Sequence, residues 1–167
     1  MKKRFTNEYN FQIVVALLKE YGIRKIVASP GSTNIPFVSA VQQDHFFEVY
    51  SSVDERSAAY IACGLAAESG EAVVLTCTGA TASRNYMPAL TEAYYRHLPV
   101  LAITAGIAGY PGMLIPQIID RSSLPRDIAK ISVNLPQIHS LQEKFECNIK
   151  VNQAISELFP LGQWMSS

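Results

Sequence analysis

The chain has 167 residues, of which 49% are apolar and 17% charged, the make-up of one globular domain rather than a disordered segment. Lysine plus arginine balance aspartate plus glutamate at 14 each, so there is no basic field to draw in nucleic acid or an anionic membrane, and both partner classes are disfavoured. Cys63, Cys77 and Cys147 have no metal-ligand spacing, no metal site is expected, and no apolar run approaches a membrane span, so the expected location is cytoplasmic.

Taken in chain order, Phe11, Val14, Val15, Leu17 and Leu18 have helical spacing between Asn10 and Glu20, and Gly22 closes that helix. Lys25 to Ser29 reads as a first strand, Pro30 to Asn34 as a turn, and Ile35 to Gln43 as a helix with Pro36 in its first turn. Phe46 to Ser51 reads as a second strand. A helix of small residues follows to about Glu68, with Asp54 as its cap and Glu55 at its mouth. Ala72 to Cys77 and Pro99 to Ala105 are continuous apolar runs, the pattern of buried parallel strands. Between them, Thr78 to Thr81 is a turn and Ala82 to His97 one helix. Beyond Gly106 the pattern weakens. Gly106 to Gly112 reads as loop and Pro116 to Leu124 as a short helix or ordered loop. Ile128 to Leu135 is ambiguous between strand and helix. Cys147 to Phe159 is a last helix, and the tail from about residue 160 is atypical. Strands alternating with helices predict a single α/β domain over 1–167, a three-layer α/β/α sandwich with a mainly parallel sheet and right-handed crossovers.

In such sheets ligands bind beyond the carboxyl ends of the strands. Three features fall there: the Pro30–Asn34 turn, Glu55, and the Thr78–Thr81 turn. Read alone, Thr78–Thr81 is an ordinary strand-to-helix turn and Glu55 a helix-start acid favoured by the dipole. Ser32 or Asn34 would suit a helix cap. Tyr86, Tyr94 and Tyr95 read as core or subunit contact. A non-catalytic binding or assembly module with a Rossmann-like sheet satisfies the residues equally.

The ordered set Ser29-Pro30-Gly31-Ser32, Asp54-Glu55-Arg56, Thr78-Gly79-Ala80-Thr81-Ala82-Ser83-Arg84-Asn85 and Pro99 to Ala105 resembles the N-terminal pyrimidine-binding domain of thiamine diphosphate-dependent enzymes. Within that family it is most similar to the menaquinone-pathway 2-succinyl-5-enolpyruvyl-6-hydroxy-3-cyclohexene-1-carboxylate synthase type. The resemblance implies a cofactor, thiamine diphosphate, and a catalytic role for Glu55, whose carboxyl would hydrogen-bond a ring nitrogen of the aminopyrimidine. A buried carboxyl with a raised pKa suits that proton-sharing task. It further implies that Thr78, Gly79 and Ala80 line the cofactor pocket and that Asn85 braces the turn. By the same resemblance Ser32 faces the active site and Gln117 stands on the substrate side. An exposed helix-face residue and an exposed loop residue are the plain alternatives for Asn85 and Gln117. Thr33 differs from the arginine the synthases carry at this place. The G-D-G pattern of a diphosphate-binding domain is absent, so Mg²⁺ is expected only on a missing domain or a partner. The implied whole is a decarboxylase or carboligase acting on a small 2-oxo acid, either a homodimer or a heteromer with a diphosphate-binding subunit. This chain would then be a split subunit or a truncated product. The helices at Ala58–Ala66 and Ala82–Arg96 are the candidate contact surfaces, or else core faces.

Overall fold

Apolar runs too continuous for a half-exposed sheet form the centre of the molecule. The computed structural model describes residues 6–106 and 125–159. Its strands are β1 (Lys25–Ala28), β2 (Glu48–Ser51), β3 (Val73–Thr78) and β4 (Val100–Ala105). They lie in the order β2-β1-β3-β4, and every pairing is parallel. β3 sits between β1 and β4 and is buried from Val73 through Cys77, because helices cover it on both faces. β2 is an edge strand and leaves Glu48, Tyr50 and Ser51 exposed.

Helices α1 (Tyr9–Glu20), α2 (Ile35–Gln42) and α6 (Leu141–Ser156) cover one face. Val14, Leu18, Phe37, Val41, Cys147 and Ile155 pack there on Ile26, Ala28 and Val74. Helices α3 (Glu55–Ser69), α4 (Ala80–Arg84) and α5 (Met87–Tyr95) cover the other face. Ala58, Ala59, Ala62, Cys63, Tyr86 and Ala89 pack there on Val27, Leu75 and Cys77. The small residues of α3 therefore serve the chain's own core: Ala58 and Ala62 are both 0% exposed. Close packing without large side chains lets α3 lie near the sheet and α5. All three cysteines are buried and none is joined in a disulfide, and burial pushes the Cys63 and Cys147 thiols up.

Three parts of the chain differ from the sequence expectation. The helix expected from Ala82 to His97 is two helices, α4 and α5, separated at Asn85 and Tyr86. Pro88 has no N–H for the Arg84 carbonyl and its ring crowds the preceding turn, so it starts α5 instead of continuing α4. The last helix begins at Leu141, ahead of the expected Cys147. Ser140 accepts from the Glu143 amide while Glu143 accepts from the His139 amide and the Ser140 hydroxyl, a reciprocal cap close to a capping box. The ambiguous segment from Ile128 to Leu135 is irregular, neither strand nor helix. The expectations for Pro116–Leu124 and for the tail from about 160 lie outside the described residues, as does Gln117. Among the described residues no helix is long and apolar enough to cross a membrane, and no group of three or more His, Cys, Asp or Glu stands together as metal ligands.

Topology places the site. The chain leaves β1 through α2 on one face and leaves β3 through α4 and α5 on the other, yet β1 and β3 are neighbours. Adjacent strands whose connections depart to opposite faces open a crevice at their carboxyl ends.

Candidate functional site

The two turns that flank this crevice touch. Gly31, in the turn after β1, lies so close to Thr78 at the end of β3 that a Cβ there would stand 2.1 Å from Thr78 Cγ2. Only glycine permits that approach without moving Thr78. Asn34, fully buried, shapes the turn from within: its Oδ1 accepts from the Gly31 amide at 2.9 Å, and its Nδ2 donates to the Ser29 carbonyl at 3.0 Å. The side chain of Asn34 is thus turned back into its own loop, and neither it nor Ser32 caps α2 through its side chain. Ser32 is exposed, in the 3-10 turn Ser32–Asn34. Thr33 Oγ1 donates to the Ala105 carbonyl at 2.5 Å, tying the same turn to the end of β4.

Beyond β3, Gly79 and Ala80 are buried and Thr78 is half-buried. Ser83 Oγ donates back to the Gly79 carbonyl at 2.7 Å and holds the first turn of α4 shut. Asn85 is exposed, and its Nδ2 reaches the Thr81 carbonyl at 3.4 Å, a long contact within its own helix. A groove of about 930 Å³ runs along β4, and Ser32, Gly79 and Ala80 meet it at its upper end. Glu55, Thr78 and Asn85 lie outside that groove.

Glu55 is the first residue of α3, directly beyond β2. Asp54 performs the capping, accepting from the Ser57 amide at 2.7 Å. Hydrogen bonds from Ser57, side chain first and then amide, hold the Asp54 carboxyl below its usual range. With the cap supplied by Asp54, the half-buried Glu55 side chain makes no hydrogen bond or ion pair among the described residues. Glu55 precedes Ala58 and Ala59 by three and four positions, so it shares the face of α3 that packs on the sheet, and its side chain leans toward the helix start and the rim.

Below the rim stands a polar group that the sequence does not single out. Tyr86 is 1% exposed and Ser29 2%, and neither hydroxyl has a hydrogen-bond partner among the described residues. The Ser29 amide bonds the Thr76 carbonyl at 2.9 Å, so Ser29 continues β1 alongside Cys77. By strand alternation Ser29 follows Val27 onto the face of α3 and α5, where Tyr86 also packs. The phenol lies beside Ser29 and Cys77 without meeting hydrogen-bond geometry to either. Burial pushes its pKa far up, with Cys77 and the Glu55 carboxylate adding, so it remains a neutral hydroxyl. Tyrosine at helical spacing reads as core in a sequence, and its loss of a partner depends on the crossing of α4 over β3, which no local pattern records.

Known proteins are similar to this chain in sequence and in fold. The family described as thiamine pyrophosphate enzyme, N-terminal TPP binding domain matches residues 10–111. The 2-succinyl-5-enolpyruvyl-6-hydroxy-3-cyclohexene-1-carboxylate synthase of Bacteroides thetaiotaomicron is 38% identical over 154 residues, which is 92% of this chain and 28% of that enzyme. The synthase of the same description from Porphyromonas gingivalis is 45% identical over 105 residues, 63% of this chain and 18% of that enzyme. Among solved structures, a thiamine diphosphate-dependent 4-hydroxybenzoylformate decarboxylase from Rhodococcus jostii shares the fold, with a TM-score of 0.75 and 24% identity over 90% of this chain and 28% of that one. The chain thus spans less than a third of the length of these relatives. Its all-parallel sheet, its rim of turns and its matched segment place it in one group: the chain belongs to the family of N-terminal thiamine pyrophosphate-binding domains of thiamine pyrophosphate enzymes.

Proposed function

We propose that this chain holds the aminopyrimidine half of thiamine diphosphate at the β1–β3 crevice, and that Glu55 is its catalytic residue. One observation carries this reading. Asp54 caps α3, which leaves Glu55 as a half-buried carboxyl at the rim with no hydrogen bond or ion pair among the described residues. A carboxyl so placed is available to share a proton with a ring nitrogen. The donor set suits the group. Thr78 offers a hydroxyl, the buried Gly79 lets a ligand approach the backbone, and Ala80 adds a small apolar wall. Ser32 is exposed at the neighbouring turn, on the side open to a substrate. Asn85 belongs to the support of the Thr78–Thr81 turn rather than to direct contact, given its reach to the Thr81 carbonyl. Gln117 would contribute from the substrate side.

When bound, the cofactor supplies an electron sink for a carbanion formed from a 2-oxo acid. Glu55 would keep a proton poised at its carboxyl oxygen toward the ring nitrogen. The turns would orient the ring and limit its access to water. Mg²⁺ and the diphosphate belong to a second domain or subunit, and a homodimer or heteromer closes the pocket. The whole assembly would decarboxylate or ligate a small 2-oxo acid. Thr33 engages the Ala105 carbonyl through its hydroxyl, and a threonine there offers no fork of donors to a substrate carboxylate.

The test assembles the chain with a diphosphate-binding domain, cofactor and Mg²⁺ and measures 2-oxo acid decarboxylation. Activity in the wild type that falls by at least about 100-fold in Glu55→Gln supports the role of general acid–base chemistry at this position. Equal activity in the two proteins would remove Glu55 from the reaction.

A further inference from the structure

A buried hydroxyl without a partner destabilises a fold, so its retention calls for a physical reason. Tyr86 and Ser29 present two such hydroxyls on one face of the sheet, at the carboxyl ends of β3 and β1. The same core cluster holds Ala58 and Ala59, one turn along α3 from Glu55 and on the face that Glu55 shares. The phenol and the serine hydroxyl are therefore on the face of the sheet that the head of α3 covers, with Cys77 in the same cluster, and the Glu55 carboxyl is near enough to act on the phenol electrostatically. Cys77 is engaged with the Thr78 carbonyl at 3.1 Å through its own sulfur. Thr76, the third buried hydroxyl without a partner among the described residues, faces the opposite side of the sheet by strand alternation and takes no part.

We propose that Tyr86 is a positioning residue for Glu55: with Ser29 it supplies a buried hydroxyl pair that hydrogen-bonds the Glu55 carboxyl, directly or through one water, when the cofactor is seated. This rests on the reading of Glu55 given above. The bond satisfies the phenol only in the liganded protein, which explains why the described core provides it no partner. It also fixes which carboxyl oxygen faces the ring nitrogen, because an orientation held by the pair leaves a single oxygen exposed at the rim. A neutral phenol can donate one hydrogen and accept another, so the pair adapts to either protonation state of the carboxyl. Among the described residues, Cys77 and Ser29 from the strands and Glu55 from α3 are the groups near enough to act on the phenol's proton.

Tyr86→Phe removes one oxygen and keeps the ring. Thermal unfolding of the unliganded chain reads the structural effect. Calorimetric titration with thiamine diphosphate and Mg²⁺, on the chain assembled with its diphosphate-binding domain, reads the functional one across pH 5 to 9. The expected result is an unchanged or higher Tm, because a hydroxyl without a partner is removed. Cofactor affinity falls about tenfold, the pH at which affinity is lost moves, and neither effect appears when Glu55→Gln is already present. Ser29→Ala should give a weaker version of the same pattern. Wild-type affinity and an unmoved pH profile in Tyr86→Phe would overturn the proposal. So would an affinity loss that persists in the Glu55→Gln background, or a lowered Tm, which would mean that the phenol has a partner inside the unliganded core. A wild-type assembly that binds no thiamine diphosphate at all would instead overturn the proposed function, and this inference with it.

Discussion

Gly31 and Thr78 define the tightest point of the rim. Asn34 holds the turn from beneath, through the Gly31 amide and the Ser29 carbonyl, so relief from an added methyl has to come from Thr78. Gly31→Ala would force Thr78 out of its rotamer or push the two turns apart, and overpacking of this kind costs roughly 1–3 kcal/mol. Because the colliding atom is Thr78 Cγ2, Thr78→Ser removes it. Chemical denaturation should therefore show Gly31→Ala destabilised and the double variant Gly31→Ala/Thr78→Ser recovering most of the loss. Additive effects would show that the two turns do not meet as described. At this scale the sequence is informative where a residue acts through its own backbone position, and silent where it acts through a neighbour distant in the chain. The places of Glu55 and Thr78–Ala80 just beyond the strands are legible, whereas the close approach of Gly31 to Thr78 is not. Asn34 reads as a cap but spends its amide on its own turn, and Tyr86 reads as core while carrying a hydroxyl that the core leaves unpaired.

Among the elements, α3 presents Glu55 and depends on its first turn. Asp54 caps it with a carboxyl held below the ordinary value of 3.8 by Ser57. A group whose folded pKa is depressed contributes stability that is fully present above the unfolded value and is lost as pH falls through the folded one. Asp54→Asn keeps a capping acceptor but cannot ionise. The Tm of wild type should therefore exceed that of Asp54→Asn at neutral pH, and the gap should close in acid below about pH 4. A gap that stays constant from neutral pH into that range would mean that the cap's charge contributes nothing. The other elements show what periodicity can and cannot deliver. Strands β1, β3 and β4 are read almost to the residue because burial on both faces makes them continuous apolar runs. The Ala82–His97 expectation missed the break because its apolar spacing continues smoothly across Pro88 while the hydrogen bonding does not. The start of α6 was present in the sequence as Ser140-Leu141-Gln142-Glu143, a capping box hidden by the low hydrophobicity of its first turn.

For the molecule as a whole, the order β2-β1-β3-β4 turns scattered short motifs into one rim. Two turns and the head of α3 come together because every strand runs the same way, and the reversal between β1 and β3 opens the crevice among them. Hydrogen bonds tie the rim across its width, from the Ser52 amide to the Ala28 carbonyl at 3.0 Å and from Thr33 to Ala105. Under the proposed function this rim would hold the aminopyrimidine half of the cofactor. The central claim is that Glu55 shares a proton with the aminopyrimidine. Its most direct measurement is the exchange of the thiazolium C2 proton with deuterium in thiamine diphosphate bound to the chain assembled with a diphosphate-binding domain, followed by quenched-flow NMR. The account predicts exchange in the wild type at least about 100-fold faster than in Glu55→Gln while both proteins still bind the cofactor. Equal exchange rates at equal occupancy would contradict it.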